Sequence, residues 1–153
     1  MGGIYDDELI GRLRDGAISV LPGWGMGGDA HVRLLTVSEN ATFLATDPKT
    51  GARLILRVHR PGYHARSEIE SELAWINALR AAEVVDTPKP RMRSDGSLVA
   101  EFDQEGVGRH VVAFDFMQGD EPSADDALVD QVQLLLLGFL EELASCHLDL
   151  RRL

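Results

Sequence analysis

The chain holds a single cysteine, Cys146, among 153 residues. That excludes an internal disulfide framework and any cysteine-rich metal site, and it fits a reducing compartment. Positive charge is also scarce. Lys and Arg number 15 against 25 Asp and Glu, a net charge of −10. A general basic surface is therefore missing, and no nucleic-acid partner is expected. Long hydrophobic runs are missing too. The longest, Leu134 to Leu140, falls well short of the ~20 residues that cross a bilayer, so no membrane partner is expected. The opening MGGIYDDELIGRLRDG has acids early and no apolar segment, unlike a secretory signal. Asp6 stands where a myristoylation site needs Ser or Thr. Together these absences predict a cytoplasmic protein.

What is present suits one packed domain: 44% hydrophobic and 26% charged residues. Charge is unevenly spread. Arg53, Arg57, Arg60 and Arg66 occur in a stretch without acids, and His110 to His147 carries eight acids without Lys or Arg. Each is either a solvated face or, in turn, an anion site and a cation-friendly surface.

Residues 6–15 predict a short helix with Leu9, Ile10 and Leu13 on one side and Gly16 as its stop. PGWGMGG (22–28) is punctuation. Strand-like runs follow at 31–37, 41–47 and 52–60, parted by Ser38-Glu39-Asn40 and by Asp47-Pro48-Lys49-Thr50-Gly51. In the third run Leu54, Leu56 and Val58 form an apolar face. Arg53, Ile55, Arg57 and His59 form the other, which can meet solvent or ligand. Tyr63 to Ala82 predicts the main helix, with Ile69, Leu73, Ile76 and Leu79 at helical spacing. Further strands are expected at 97–102 and 109–117, then a linker at 118–122 and a helix over 124–148 capped by Ser123. Strands grouped around one helix do not make the alternating pattern of a parallel α/β sheet.

Gly23, Gly25 and Gly28 satisfy the G-x-G-x-x-G pattern of dinucleotide sites. That pattern requires a helix next, and AHVRLLTV is strand-like, so a flexible entry loop is the better expectation. The five histidines show no spacing of a helical zinc site, and Cys146 suits a small buried hydrophobe. His59 and His64 flank Arg60 and are expected in a solvated loop.

A stronger constellation joins the turn Ser38-Glu39-Asn40-Ala41-Thr42, Arg57 on the polar face of the third strand, and Glu72 in the following helix. A nucleoside triphosphate needs backbone N–H groups over its phosphates and a fixed cation on them. A helix carboxylate can brace that cation. Two alternatives stay open: a purely structural Arg57–Glu72 pair, or Glu68 as the partner.

The run SENATFLATDPKTGARLILRVHRPGYHARSEIESELAWINALR, then TPKPRMRSDGSLV, then RHVVAFDFMQGDEP, resembles the N-terminal lobe of the aminoglycoside phosphotransferase family, in a branch like homoserine kinase type II. LASCHLDL resembles the family's leucine, small residue and histidine near the end of the next helix.

The resemblance implies an α+β fold: a protein-kinase-like lobe with a five-stranded antiparallel sheet and one packed helix, plus an N-terminal helix and a C-terminal one. The expected division is 1–30 (helix and glycine-rich loop), 31–118 (the lobe) and 119–153 (linker and first helix of a second lobe). The resemblance places Ser38, Glu39, Asn40, Ala41 and Thr42 over the phosphates of ATP. It puts Arg57 at the third-strand lysine position, Glu72 at its helix partner, and Asp115 and Met117 where backbone meets adenine. Arg in place of Lys keeps the charge and changes its geometry from a point to a fork.

The family's HGDxHxxN loop and later metal-binding Asp do not occur in these residues. By themselves the 153 residues are therefore expected not to catalyse, and Mg²⁺ is expected only with a complete second lobe. Val132 to Leu143 is apolar nearly all round, which calls for cover by that lobe or by a second copy through helix 124–148. The whole enzyme would phosphorylate a hydroxyl of a small compound, an amino alcohol or an aminoglycoside-like cation. The alternatives are a non-catalytic nucleotide-binding, regulatory or oligomerisation module, and a structural protein that has lost the nucleotide.

Overall fold

The computed structural model describes residues 6–84 and 86–119. The expected helix 124–148 lies outside them.

Helix α1 (Asp7–Val20) starts where Asp6 accepts the Leu9 N–H at 2.7 Å, with Asp7 and Glu8 at the positive end of the dipole. It runs beyond the expected stop at Gly16. A Cβ on Gly16 would sit 2.2 Å from Cε2 of Phe102, so this glycine permits close packing and ends nothing. A 3-10 turn, Leu21–Trp24, follows. The Trp24 indole N–H donates to the Arg91 carbonyl at 2.9 Å, and Ser94 N–H donates to Gly23 O at 2.8 Å. The glycine-rich segment is thus docked on residues 91–94. It leads into a strand, as the dinucleotide pattern forbids.

The strands are β1 (His31–Val37), β2 (Ala41–Thr46), β3 (Arg53–Val58), β4 (Val99–Gln104) and β5 (Val107–Asp115). They form one five-stranded antiparallel sheet, as the resemblance implied, in the order β1-β2-β3-β5-β4. Helix α2 (Arg66–Ala81) lies between β3 and β4 in the chain. It begins three residues later than its periodicity suggested, because Pro61 and Gly62 stand in a turn. Its first turn is closed by Glu68, whose carboxylate accepts the Ala65 N–H at 2.7 Å.

Alternation along the strands divides the core in two. On one side Leu13, Ala17 and Leu21 pack with Phe43, Leu56, Val58 and Val111. On the other, Ile69 and Leu73 of α2 pack with Val99, Val112 and Phe114, and Ile55 joins them. The sheet is therefore covered on one face by α1 and on the other, in part, by α2. The second face carries Arg57.

Candidate nucleotide site

Arg57 is paired across the sheet with Thr42 on β2 and Val112 on β5. Cross-strand partners share a face, so Thr42, Arg57 and Val112 form one row. Glu72 projects from α2 onto that row. The Arg57 Nη1 to Glu72 Oε1 distance is 3.0 Å, with the two side chains 32% and 44% exposed. This settles the partner. Glu68 is engaged at the start of α2, with the Ala65 N–H and, at 3.8 Å, with His64. The Arg57 guanidinium also lies over the Phe114 ring, 5.2 Å from its centroid. A carboxylate and an aromatic face hold the cation, and about a third of its side chain stays open to solvent.

The turn before β2 has its own bonds. Ser38 N–H donates to Asn40 O at 3.1 Å, so Ser38 has no amide to offer a ligand. Asn40 Oδ1 accepts the Arg60 N–H at 3.2 Å, and Glu39 Oε1 accepts the Tyr63 hydroxyl at 3.1 Å. Ala41 starts β2, buried and paired with Val37 and Val58.

Asp115 closes β5 opposite Leu54, three residues along β3 from Arg57, or about 10 Å at the rise of a strand. Its N–H donates to Lys89 O at 2.9 Å, and Arg91 Nε lies 3.3 Å from its Oδ1. Just after it, the Arg53 guanidinium stacks on Phe116 at 3.9 Å, and Met117 is partly exposed. Asp115 also borders a cleft of about 360 Å³ with Trp24, Met26, Asp47, Arg53 and Arg91. None of residues 38–42, Arg57 or Glu72 lines it. The structure thus gathers Thr42, Arg57 and Glu72, keeps the rest of the turn beside them through the link to Arg60 and Tyr63, and places Asp115 and Met117 further along the sheet.

The sequence misplaced His59. Alternation put it on the ligand-facing side in a solvated loop, but it is 3% exposed and neither ring nitrogen has a hydrogen-bond partner among the described residues. Burial, and then the Arg57 cation, push its pKa from 6.5 down to about 4. Phe114 and Tyr63 went unassigned, since neither an aromatic in a strand nor one in a loop signals a contact by its spacing.

No group of three or more His, Cys, Asp or Glu could hold a metal ion among the described residues. These residues therefore do not by themselves fit a divalent cation. Among the described residues, no helix is long and apolar enough to cross a membrane.

The model of the phosphotransferase enzyme family matches residues 31–153. The chain belongs to that family. Two solved structures of similar fold are a microcompartment-associated aminopropanol kinase and an amicoumacin kinase. The first is 43% identical with a TM-score of 0.62, over 69% of this chain and 32% of its own. The second, solved with AMP-PNP, Ca²⁺ and Ami, is 20% identical with a TM-score of 0.60, over 80% of this chain and 34% of its own. The chain thus spans about a third of the length of either solved protein. No curated protein matches it.

Proposed function

We propose that the sheet and α2 form the ATP-binding lobe of a small-molecule kinase, with Arg57 as the cation on the phosphates and Glu72 as its brace. The 3.0 Å Arg57–Glu72 pair carries this reading. An exposed ion pair contributes only ~0–1 kcal/mol to stability, so the chief effect of the carboxylate and the ring is to fix where the guanidinium sits. A polyanion beside it would gain much more, since charge-assisted bonds to a pre-set guanidinium lose little entropy on forming.

The adenine would meet the strand end at Asp115 and Met117. The Asp115 amide is committed to Lys89, so its carbonyl is the group left for the base, and the Met117 amide would serve as donor. Phosphoryl transfer needs Mg²⁺, and the described residues hold no cluster of three or more acids, histidines or cysteines to bind it. The role assigned to them is therefore nucleotide binding. The 43% identity to the aminopropanol kinase favours an amino-alcohol hydroxyl as acceptor in the whole enzyme.

The test is calorimetric titration of the chain with ATP. Arg57→Ala should weaken binding by roughly ten-fold or more, the loss of one charge-assisted contact, and Arg57→Lys should keep most of the affinity. Equal affinity of parent and Arg57→Ala would sink the proposal.

A further inference from the structure

The turn between β1 and β2 has no glycine, and it carries a carboxylate, Glu39. A loose carboxylate beside phosphates repels them. In this structure Glu39 is not loose. The Tyr63 hydroxyl donates to its Oε1 at 3.1 Å, and the Arg60 N–H donates to the neighbouring Asn40 Oδ1 at 3.2 Å. Both donors belong to the link between β3, which carries Arg57, and α2, which carries Glu72.

The contacts continue toward α2. The Tyr63 and His64 rings meet edge-on at 4.9 Å, His64 Nδ1 lies 3.8 Å from Glu68 Oε2, and Glu68 closes the start of the helix. Tyr63 is 51% exposed, so burial does not account for its position. The polar bond to Glu39 does.

We propose, on the basis of the function given above, that Tyr63 is a positioning residue of the nucleotide site: its hydroxyl holds the Glu39 carboxylate out of the phosphates' path and, with the Arg60–Asn40 bond, clasps the turn to the segment that leads into α2. The consequence is selectivity by phosphate number. Loosening Glu39 by loss of the Tyr63 bond adds a repulsion that grows with the charge of the ligand, so triphosphate suffers most and monophosphate least.

Calorimetric titration of the parent chain and of Tyr63→Phe with ATP, ADP and AMP tests this. The variant loses one hydroxyl from a half-exposed ring, so its melting temperature should match the parent's. Its affinity for ATP should fall about five-fold, for ADP less, and for AMP not at all. High salt should shrink the ATP deficit. Amide hydrogen exchange at residues 38–42 should quicken in Tyr63→Phe and in Asn40→Ala, with α1 unchanged. An equal loss for all three nucleotides, no loss, or unchanged exchange overturns the clasp alone while ATP binding by the parent stands. A parent chain that binds no nucleotide overturns the function itself, and this role with it.

Discussion

His59 lies two positions beyond Arg57 and sets a pH dependence that the nucleotide site does not need. The folded chain holds the ring neutral, with a pKa of about 4 against 6.5 when free. Between those values the unfolded chain binds a proton that the folded chain refuses. Stability is therefore complete above pH 6.5, falls as pH drops toward 4, and levels off below, for this group alone. A shift of this size is worth roughly 3 kcal/mol. Its neighbours of either sign are Arg57 on β3, Glu72 on α2, His110 on β5 and His64 in the link, and Glu72 is the one that opposes the shift. Urea unfolding at pH 7 and pH 4.5 should show a smaller loss of stability in His59→Leu than in the parent. The variant should also hold its stability at pH 7, because both ring nitrogens it removes lack partners among the described residues. An identical pH slope in the two proteins would count against the buried neutral ring. Nothing in the strand pattern foretold this. Period-two alternation tells the two faces apart, but the cover over the second face comes from a helix formed later in the chain.

At the scale of the element, α1 shows where local signals mislead. Gly16 is a fair stop by propensity, and the helix runs through it because Phe102 of β4 presses against that point. Tertiary packing outweighed a penalty of about 1 kcal/mol. Gly16→Ala should therefore destabilise the chain despite the better helix former, by roughly 1–3 kcal/mol of overpacking. Adding Phe102→Leu should recover part of it. Thermal unfolding of the single and double variants decides, and a Gly16→Ala protein more stable than the parent would show that the ring yields freely.

The strands were more legible. Each alternating run became a strand within two residues or so, since alternation and turn residues are local. β5 starts at Val107 and not Arg109 because the tight turn at Glu105 and Gly106 lets pairing begin at once, with Gln104 opposite Val107. The Arg57–Glu72 pair was legible through its spacing and the family resemblance. The row that sets Thr42 beside Arg57 was not, because register follows from which strands pair.

For the whole molecule, the sharpest contrast lies between the stretch that the family model matches and the stretch that packs. The match begins at residue 31. Yet Leu13, Ala17, Leu21, Trp24 and Met26, all earlier, are buried in the same cluster as Phe43, Leu56 and Val111 of the sheet. Trp24 and Gly23 are also bonded to the 91–94 segment, and Lys49 in the β2–β3 turn holds Asp29 at 2.8 Å. Removing residues 1–30 would strip one face of the sheet to water. Burial of a large apolar side chain is worth ~1.5–3 kcal/mol, so losing even a few of these contacts rivals the 5–15 kcal/mol that stabilises a typical domain. A chain of residues 31–153 should therefore lose cooperative thermal unfolding and bind a hydrophobic dye, although it retains every residue proposed for the nucleotide. A truncated chain that melts cooperatively near the parent's temperature would make α1 an accessory. The expected result makes α1 and the segment after it the cover of one face of the sheet, and the folding unit would then include residues ahead of the family match.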